Sequence, residues 1–166
     1  MIDPAILRPG RLDVKIKIER PNAQAARDIF AKYLNALVPF DAELLETHNG
    51  DVEFVIATLI EQAVHKLYAT NVSSEFLEVT YANGERETLY FKDFVSGAMI
   101  ESIVSRAKKM GIKRQLADGT AGITLDHLLT ACDDGKKGER IVFMRTLIRQ
   151  NGGLSGRAID SPHADL

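Results

Sequence analysis

Cysteine is nearly absent: Cys132 stands alone among 166 residues, which excludes an internal disulfide framework. The four histidines are scattered without metal-ligand spacing, so no metal site is expected. No apolar run approaches the roughly 18 residues of a membrane span, and the N-terminus lacks the basic-then-apolar order of a signal peptide. The expectation is a soluble, cytoplasmic chain with no membrane partner. An excess of positive charge is missing too. A formal net charge of −2 argues against nucleic acid as a partner, because phosphate binding draws on concentrated Lys and Arg. The one basic cluster, Arg106 to Arg114 with Lys108, Lys109 and Lys113 between them, reads as a solvated helix face.

What is present is globular in character. Hydrophobic residues make up 45% of the chain and charged residues 27%, enough for a packed core in one ordinary domain or two small ones. "VKIKIERP" alternates Val14, Ile16 and Ile18 against Lys15, Lys17 and Glu19, the period-two pattern of a half-buried strand, and Pro21 ends it. Asn22 is an N-cap for a helix carrying Ala26, Ile29, Phe30, Tyr33 and Leu37, closed by Pro39. A second helix follows "THNG", with Asp51 near its N-terminus and an apolar stripe of Val52, Val55, Ile56, Leu59, Ile60, Ala63 and Leu67.

The pattern then changes. "EFLEVTYANGERETLYFK" alternates around Asn83-Gly84, which predicts a two-residue hairpin turn with Leu77 opposite Tyr90, Val79 opposite Thr88 and Phe76 opposite Phe91. Both faces carry aromatics, and a free two-stranded ribbon is marginal in water, so a cover is expected. A third helix starts near Phe94 with Ser96 as its cap and carries Ile100, Ile103, Val104 and Ala107. A fourth has Thr124 as its cap and Leu125, Leu128 and Leu129 as its stripe. "GKKGERIVFMRTLI" is rich in Ile, Val and Phe and reads as an extended segment that supplies the hairpin with a third strand. The Gly- and Ser-rich remainder reads as a mobile tail.

The opening segment carries chemistry. Arg8 and Arg11 flank Pro9-Gly10, a pair that favours a turn and would project two guanidiniums from a stiff loop. Such forks suit bidentate recognition of phosphate or carboxylate, and an arginine aimed at a transferring phosphoryl group stabilises transition-state charge. The alternative is a surface loop whose arginines pair with Asp3 or Asp13. Gly97-Ala98 reads on its own as a helix-packing contact, and Tyr33 as a core aromatic.

"DPAILRPGRLD", followed by a strand and "RPNAQAARDIFAKYL", closely resembles the second region of homology of AAA ATPases, a D-P-A-x-x-R-x-G-R-x-D segment late in the large nucleotide-binding domain. By that resemblance Arg8 is the arginine finger that reaches the γ-phosphate held by a neighbouring subunit, and Arg11 is its companion. "FVSGAMIESIVSRA" resembles the start of a helix in the small lid domain of these enzymes, which implies that Gly97 and Ala98 lie against adenine. Tyr33 falls where many relatives place a histidine near the base.

The hairpin, with "GKKGERIVFMRTL" and "SGRAID", is similar to the actinobacterial proteasomal ATPases, the ARC or mycobacterial proteasomal ATPase family. The resemblance implies a hexameric ATP-driven unfoldase, using ATP and Mg, that passes proteins tagged with prokaryotic ubiquitin-like protein to a core proteasome. The implied fold is α+β: a four-helix AAA lid domain whose inserted hairpin and late strand form a β-grasp-like unit. Residues 1–21 would be the remnant of the large domain and 22–134 the lid, with the hairpin at 75–92. Residues 135–150 would be the late strand and 151–166 a flexible tail.

Two departures matter. The family carries a longer polar stretch before "GKKGER", which makes the join at Asp134-Gly135 anomalous. The family chain also ends in Gly-Gln-Tyr-Leu, whose tyrosine docks on the proteasome, whereas this one ends "PHADL". The sequence holds no G-x-x-x-x-G-K-[ST] loop and no apolar strand ending in paired acids. It is therefore expected to hydrolyse no ATP alone and to bind no cofactor tightly. The alternative function is a non-catalytic β-grasp-like module that binds a protein partner or an adjacent subunit.

Overall fold

A computed structural model describes residues 19–71, 74–80, 84–150 and 155–158. Arg8, Arg11, the strand expected at residues 14–18 and Asn83 of the hairpin turn lie outside the described residues. Helices α1 (Ala23–Tyr33), α2 (Ala42–Thr47) and α3 (Val52–Tyr68) precede a hairpin of β1 (Glu75–Thr80) and β2 (Arg86–Tyr90). A 3-10 turn (Phe91–Asp93) leads into α4 (Gly97–Asp118) and α5 (Leu125–Gln150), and β3 (Ser155–Ala158) follows.

Local chemistry sets the helix starts. The Asn22 side chain accepts from the Ala25 amide at 2.9 Å, Asp51 from Phe54 at 3.0 Å, Ser96 from Met99 at 3.3 Å and the Thr124 hydroxyl from His127 at 3.1 Å. Each bond satisfies one of the amides that a helix N-terminus leaves without an intrahelical partner. Asp41 does the same for α2, a short helix that the sequence pattern does not announce, accepting from Leu44 at 3.2 Å.

Helices α1, α3, α4 and α5 enclose one core. Ala26 and Phe30 of α1, Val55 and Ala63 of α3, Ile100 and Ala107 of α4, and Leu128 and Ala131 of α5 are all fully buried. Burying a side chain the size of Leu128 contributes about 1.5–3 kcal/mol. Polar ties run over this core. Arg27 of α1 bonds Glu61 of α3. Lys66 of α3 bonds Asp133 of α5 at 2.7 Å, and Lys136 returns a bond to the Lys66 carbonyl at 3.0 Å.

Between the helices, the loop at Phe40 is zipped to the loop at Ile123. The Ile123 amide donates to the Pro39 carbonyl at 2.9 Å and the Asp41 amide to the Ile123 carbonyl at 3.1 Å. Gly122 makes this approach feasible. Its φ is +103°, and a Cβ there would overlap the Phe40–Asp41 backbone.

Four expectations are corrected. First, α1 stops at Tyr33, with Leu34 as C-cap donating its amide to the Phe30 carbonyl, and Leu37 is 92% exposed rather than part of a helical stripe. Second, the hairpin register differs: Leu77 pairs with Leu89, Glu78 with Thr88, Val79 with Glu87 and Thr80 with Arg86, which leaves residues 81–85 between the strands. The register shifts between Glu75 and Leu77, so Phe76 sits in a bulge and the adjacent Phe76 and Leu77 are both buried. Phe76 still reaches Phe91, edge-on at 5.2 Å, but across the 3-10 turn rather than as a strand pair.

Third, residues 135–150 are helical, not a strand. The Ile-Val-Phe triplet carries β propensity, but Glu139, Arg140, Met144, Arg145, Leu147 and Arg149 are strong helix formers. Extending a helix already begun at Leu125 adds one hydrogen bond per residue fixed. Fourth, the third strand comes from within the supposed tail. Ser155–Ala158 pairs antiparallel with β1, Thr80 opposite Ser155 and Leu77 opposite Ala158, giving the sheet order β2-β1-β3.

Candidate functional site

The start of α4 is built from both of its neighbours. Phe94 and Val95 are buried just ahead of the Ser96 cap. Phe94 also packs on Phe76 with ring centres 5.0 Å apart, which fixes the chain as it turns into the helix. On its outer side the Arg20 guanidinium lies 5.5 Å from the centre of the Phe94 ring. The Tyr68 hydroxyl donates to the Pro21 carbonyl at 2.6 Å. The segment entering α1 is thus held against the residues that open α4.

Gly97 and Ala98 form the first turn of α4. Gly97 is half-buried and Ala98 exposed. A Cβ built on Gly97 would meet only Ile29 Cδ1, at 3.8 Å, an ordinary van der Waals distance. Helix packing therefore does not require glycine at this position. Elsewhere on the same helix it does: a Cβ on Gly111 would lie 3.0 Å from the Gly122 carbonyl oxygen. Packing thus restricts Gly111 to glycine, whereas Gly97 lies against Ile29 with room for a Cβ.

Tyr33 is the last residue of α1 and lies half-buried beside α4. Lys108 Nζ donates to its carbonyl oxygen at 2.9 Å, occupying an acceptor that the helix end leaves free. Burial raises the Tyr33 hydroxyl above the usual tyrosine range, and the nearby Glu101 carboxylate pushes it the same way. Tyr33 and Ile29 are four residues apart on α1, as Gly97 and Glu101 are on α4, so the two pairs face each other across one helix contact. The structure brings Tyr33 and Gly97 to the same helix pair. Arg8 and Arg11 lie outside the described residues.

Glu101 and Lys108 are the residues that the sequence leaves unmarked. Lys108 counts there only as one charge of a basic run, and that run disperses in space. Arg106 approaches Asp134, Lys108 bonds Tyr33, and Arg114 pairs with Asp41. Lys109 and Lys113 remain exposed, which is the solvated face expected. Among the described residues no group of His, Cys, Asp or Glu is arranged to hold a metal ion. Among the same residues no helix is long and apolar enough to cross a membrane.

Comparison with known proteins gives a consistent picture. Residues 21–135 match a family described as ARC, AAA+ ATPase lid domain. A proteasome-associated ATPase of Acidimicrobium ferrooxidans is 56% identical over 183 residues, taking in 96% of this chain and 32% of the relative. That of Geodermatophilus obscurus is 52% identical over 182 residues (97% and 31%), and that of Jonesia denitrificans 50% over 188 residues (98% and 34%). The chain spans about a third of the length of the curated relatives it matches.

Proposed function

The chain belongs to the ARC family of AAA+ ATPase lid domains, and on that premise we propose that it works as the lid and C-terminal region of a larger, ring-forming ATPase that serves a proteasome. In this reading the adenine of ATP rests on the first turn of α4, against Gly97 and Ala98, with Tyr33 alongside. The observation that carries it is the unneeded glycine. Gly97 opens α4 directly after the Ser96 cap, and the fold leaves room for a Cβ there. A flat ligand approaching the helix backbone supplies the reason that packing does not.

The remaining roles follow from the resemblance. Arg8 is read as the finger acting in trans on the γ-phosphate of an adjacent subunit, with Arg11 beside it in a hexameric interface. Phosphate and Mg are assigned to parts of the ATPase outside this segment, which alone is inactive. The three-stranded sheet is read as the β-grasp-like unit, with β3 in place of the expected late strand. Proteins tagged with prokaryotic ubiquitin-like protein are the proposed substrates, and a core proteasome the proposed partner.

The non-catalytic binding module is not favoured. Among the described residues the exposed large apolar side chains are Leu37, Phe54, Ile112, Leu116 and Ile141, none of them on β1 or β2.

The test is binding of a fluorescent ATP analogue by the full-length chain that carries this segment. Gly97→Val puts a branched side chain where the base is proposed to lie and is expected to weaken binding about tenfold or more. Its thermal midpoint should stay close to that of the parent. Unchanged affinity would remove the adenine assignment.

A further inference from the structure

The adenine assignment makes Tyr33 a residue whose placement matters, and α4 holds it from two sides. Tyr33 ends α1, where helices fray and terminal carbonyls lack intrahelical partners. Lys108 Nζ takes up its carbonyl at 2.9 Å from a half-buried position, three turns beyond Gly97 on the same helix. Glu101 stands one turn beyond Gly97 as Tyr33 stands one turn beyond Ile29, and Gly97 lies against Ile29, so Glu101 and Tyr33 face each other across the same helix contact. The carbonyl of this aromatic residue is therefore tied to the helix whose first turn carries Gly97 and Ala98, and its side chain lies beside the same helix.

Resting on that reading, we propose that Lys108 and Glu101 are positioning residues for nucleotide binding: they fix Tyr33 relative to the first turn of α4, so that its ring is presented to the base. Neither touches the nucleotide. Lys108 stops α1 from fraying at Tyr33, and Glu101 restrains the ring by its hydroxyl. Ordering the ring before binding removes an entropic cost that the base would otherwise meet. The two contacts serve recognition of the base and not of the phosphates.

The experiment compares two probes on the full-length chain: a fluorescent ATP analogue, and inorganic tripolyphosphate, which has the phosphates and no base. Lys108→Met and Glu101→Ala are each expected to weaken the ATP analogue about three- to tenfold, the size of one lost polar contact, and tripolyphosphate less than about twofold. In a Tyr33→Ala background neither substitution should cost further affinity, since both act through that ring. Equal losses for both probes, no loss for either, or full additivity with Tyr33→Ala would each overturn the proposal. Lys108→Arg, which keeps the charge and a donor, is expected to retain most of the affinity. Gly97→Val separates the two levels. If it weakens the ATP analogue while the Lys108 and Glu101 variants do not, the positioning role fails and the adenine site stands. If Gly97→Val is also without effect, the site itself fails.

Discussion

Arg114 of α4 reaches across to the Asp41 carboxylate, the N-cap of α2, and also approaches the Thr120 and Ala121 carbonyls at 3.3 Å. One guanidinium thus ties α4, the turn after it and the start of α2 around the Phe40–Ile123 bridge. Burial pushes the Asp41 carboxyl up, but the Arg114 side chain and the Leu44 and Glu43 amides outweigh it, and the group titrates below the usual carboxylate range. A depressed folded-state pKa means stability that is present above the unfolded value and lost as pH falls through the folded one. Asp41→Asn is therefore expected to lower stability by about 2 kcal/mol near neutral pH. The deficit should shrink below about pH 4, as urea unfolding at a series of pH values would show. A deficit constant from pH 7 to pH 2.5 would mean that the ion pair contributes nothing.

Cys132 is fully buried on α5, and that burial pushes its thiol up to about 12, against the lowering effect of Lys66 and Lys136. The thiolate is the reactive form. At pH 8 the folded chain is expected to resist a thiol-reactive disulfide reagent, and labelling should appear only with the unfolding transition in denaturant. Labelling within seconds of mixing in native buffer would show that α5 does not pack as described.

Much of this architecture is legible in the sequence because capping is a local rule. Asn22, Asp51, Ser96 and Thr124 each announce a helix within three residues of the bond they make. The hairpin is legible for the same reason, but its register is not. The bulge at Phe76 answers a tertiary demand, two adjacent side chains buried at once, that no alternation pattern encodes. The Ile141-Val142-Phe143 triplet fits a strand or a helix by composition, and the helix already formed upstream decides between them. The glycines are the clearest case. Gly97, Gly111 and Gly122 look alike in sequence, yet packing demands the last two and not the first. Glu101 and Lys108 gain meaning only once α1 lies against α4.

Arg8 lies outside the described residues, so its proposed role is tested by activity. In the proposed full-length rings Arg8→Ala is expected to leave ATP binding intact and to slow hydrolysis by on the order of 10³-fold, the effect typical of removing an arginine that stabilises transferring phosphate. Subunits with a disabled phosphate-binding loop supply the complementary defect. Mixing the two is expected to restore turnover, because some junctions then pair an intact loop with an intact arginine. Homomeric Arg8→Ala rings that turn over at the parental rate would make the opening segment a structural loop.

The helix that replaces the expected late strand carries its own test at Gly138. This glycine lies inside α5, and a Cβ built on it meets nothing within 4 Å. Alanine there adds helix propensity without a clash, so Gly138→Ala is expected to stabilise the chain by about 0.5–1 kcal/mol. Gly138→Pro removes an intrahelical donor and crowds the preceding turn, and is expected to cost about 3 kcal/mol or more. If residues 135–150 were extended, alanine would bring no such gain, because it is a poor strand former. Thermal unfolding of both variants against the parent decides the matter. A gain from alanine together with a loss from proline requires a continuous helix at this position, and no change from either would return the segment to some other structure.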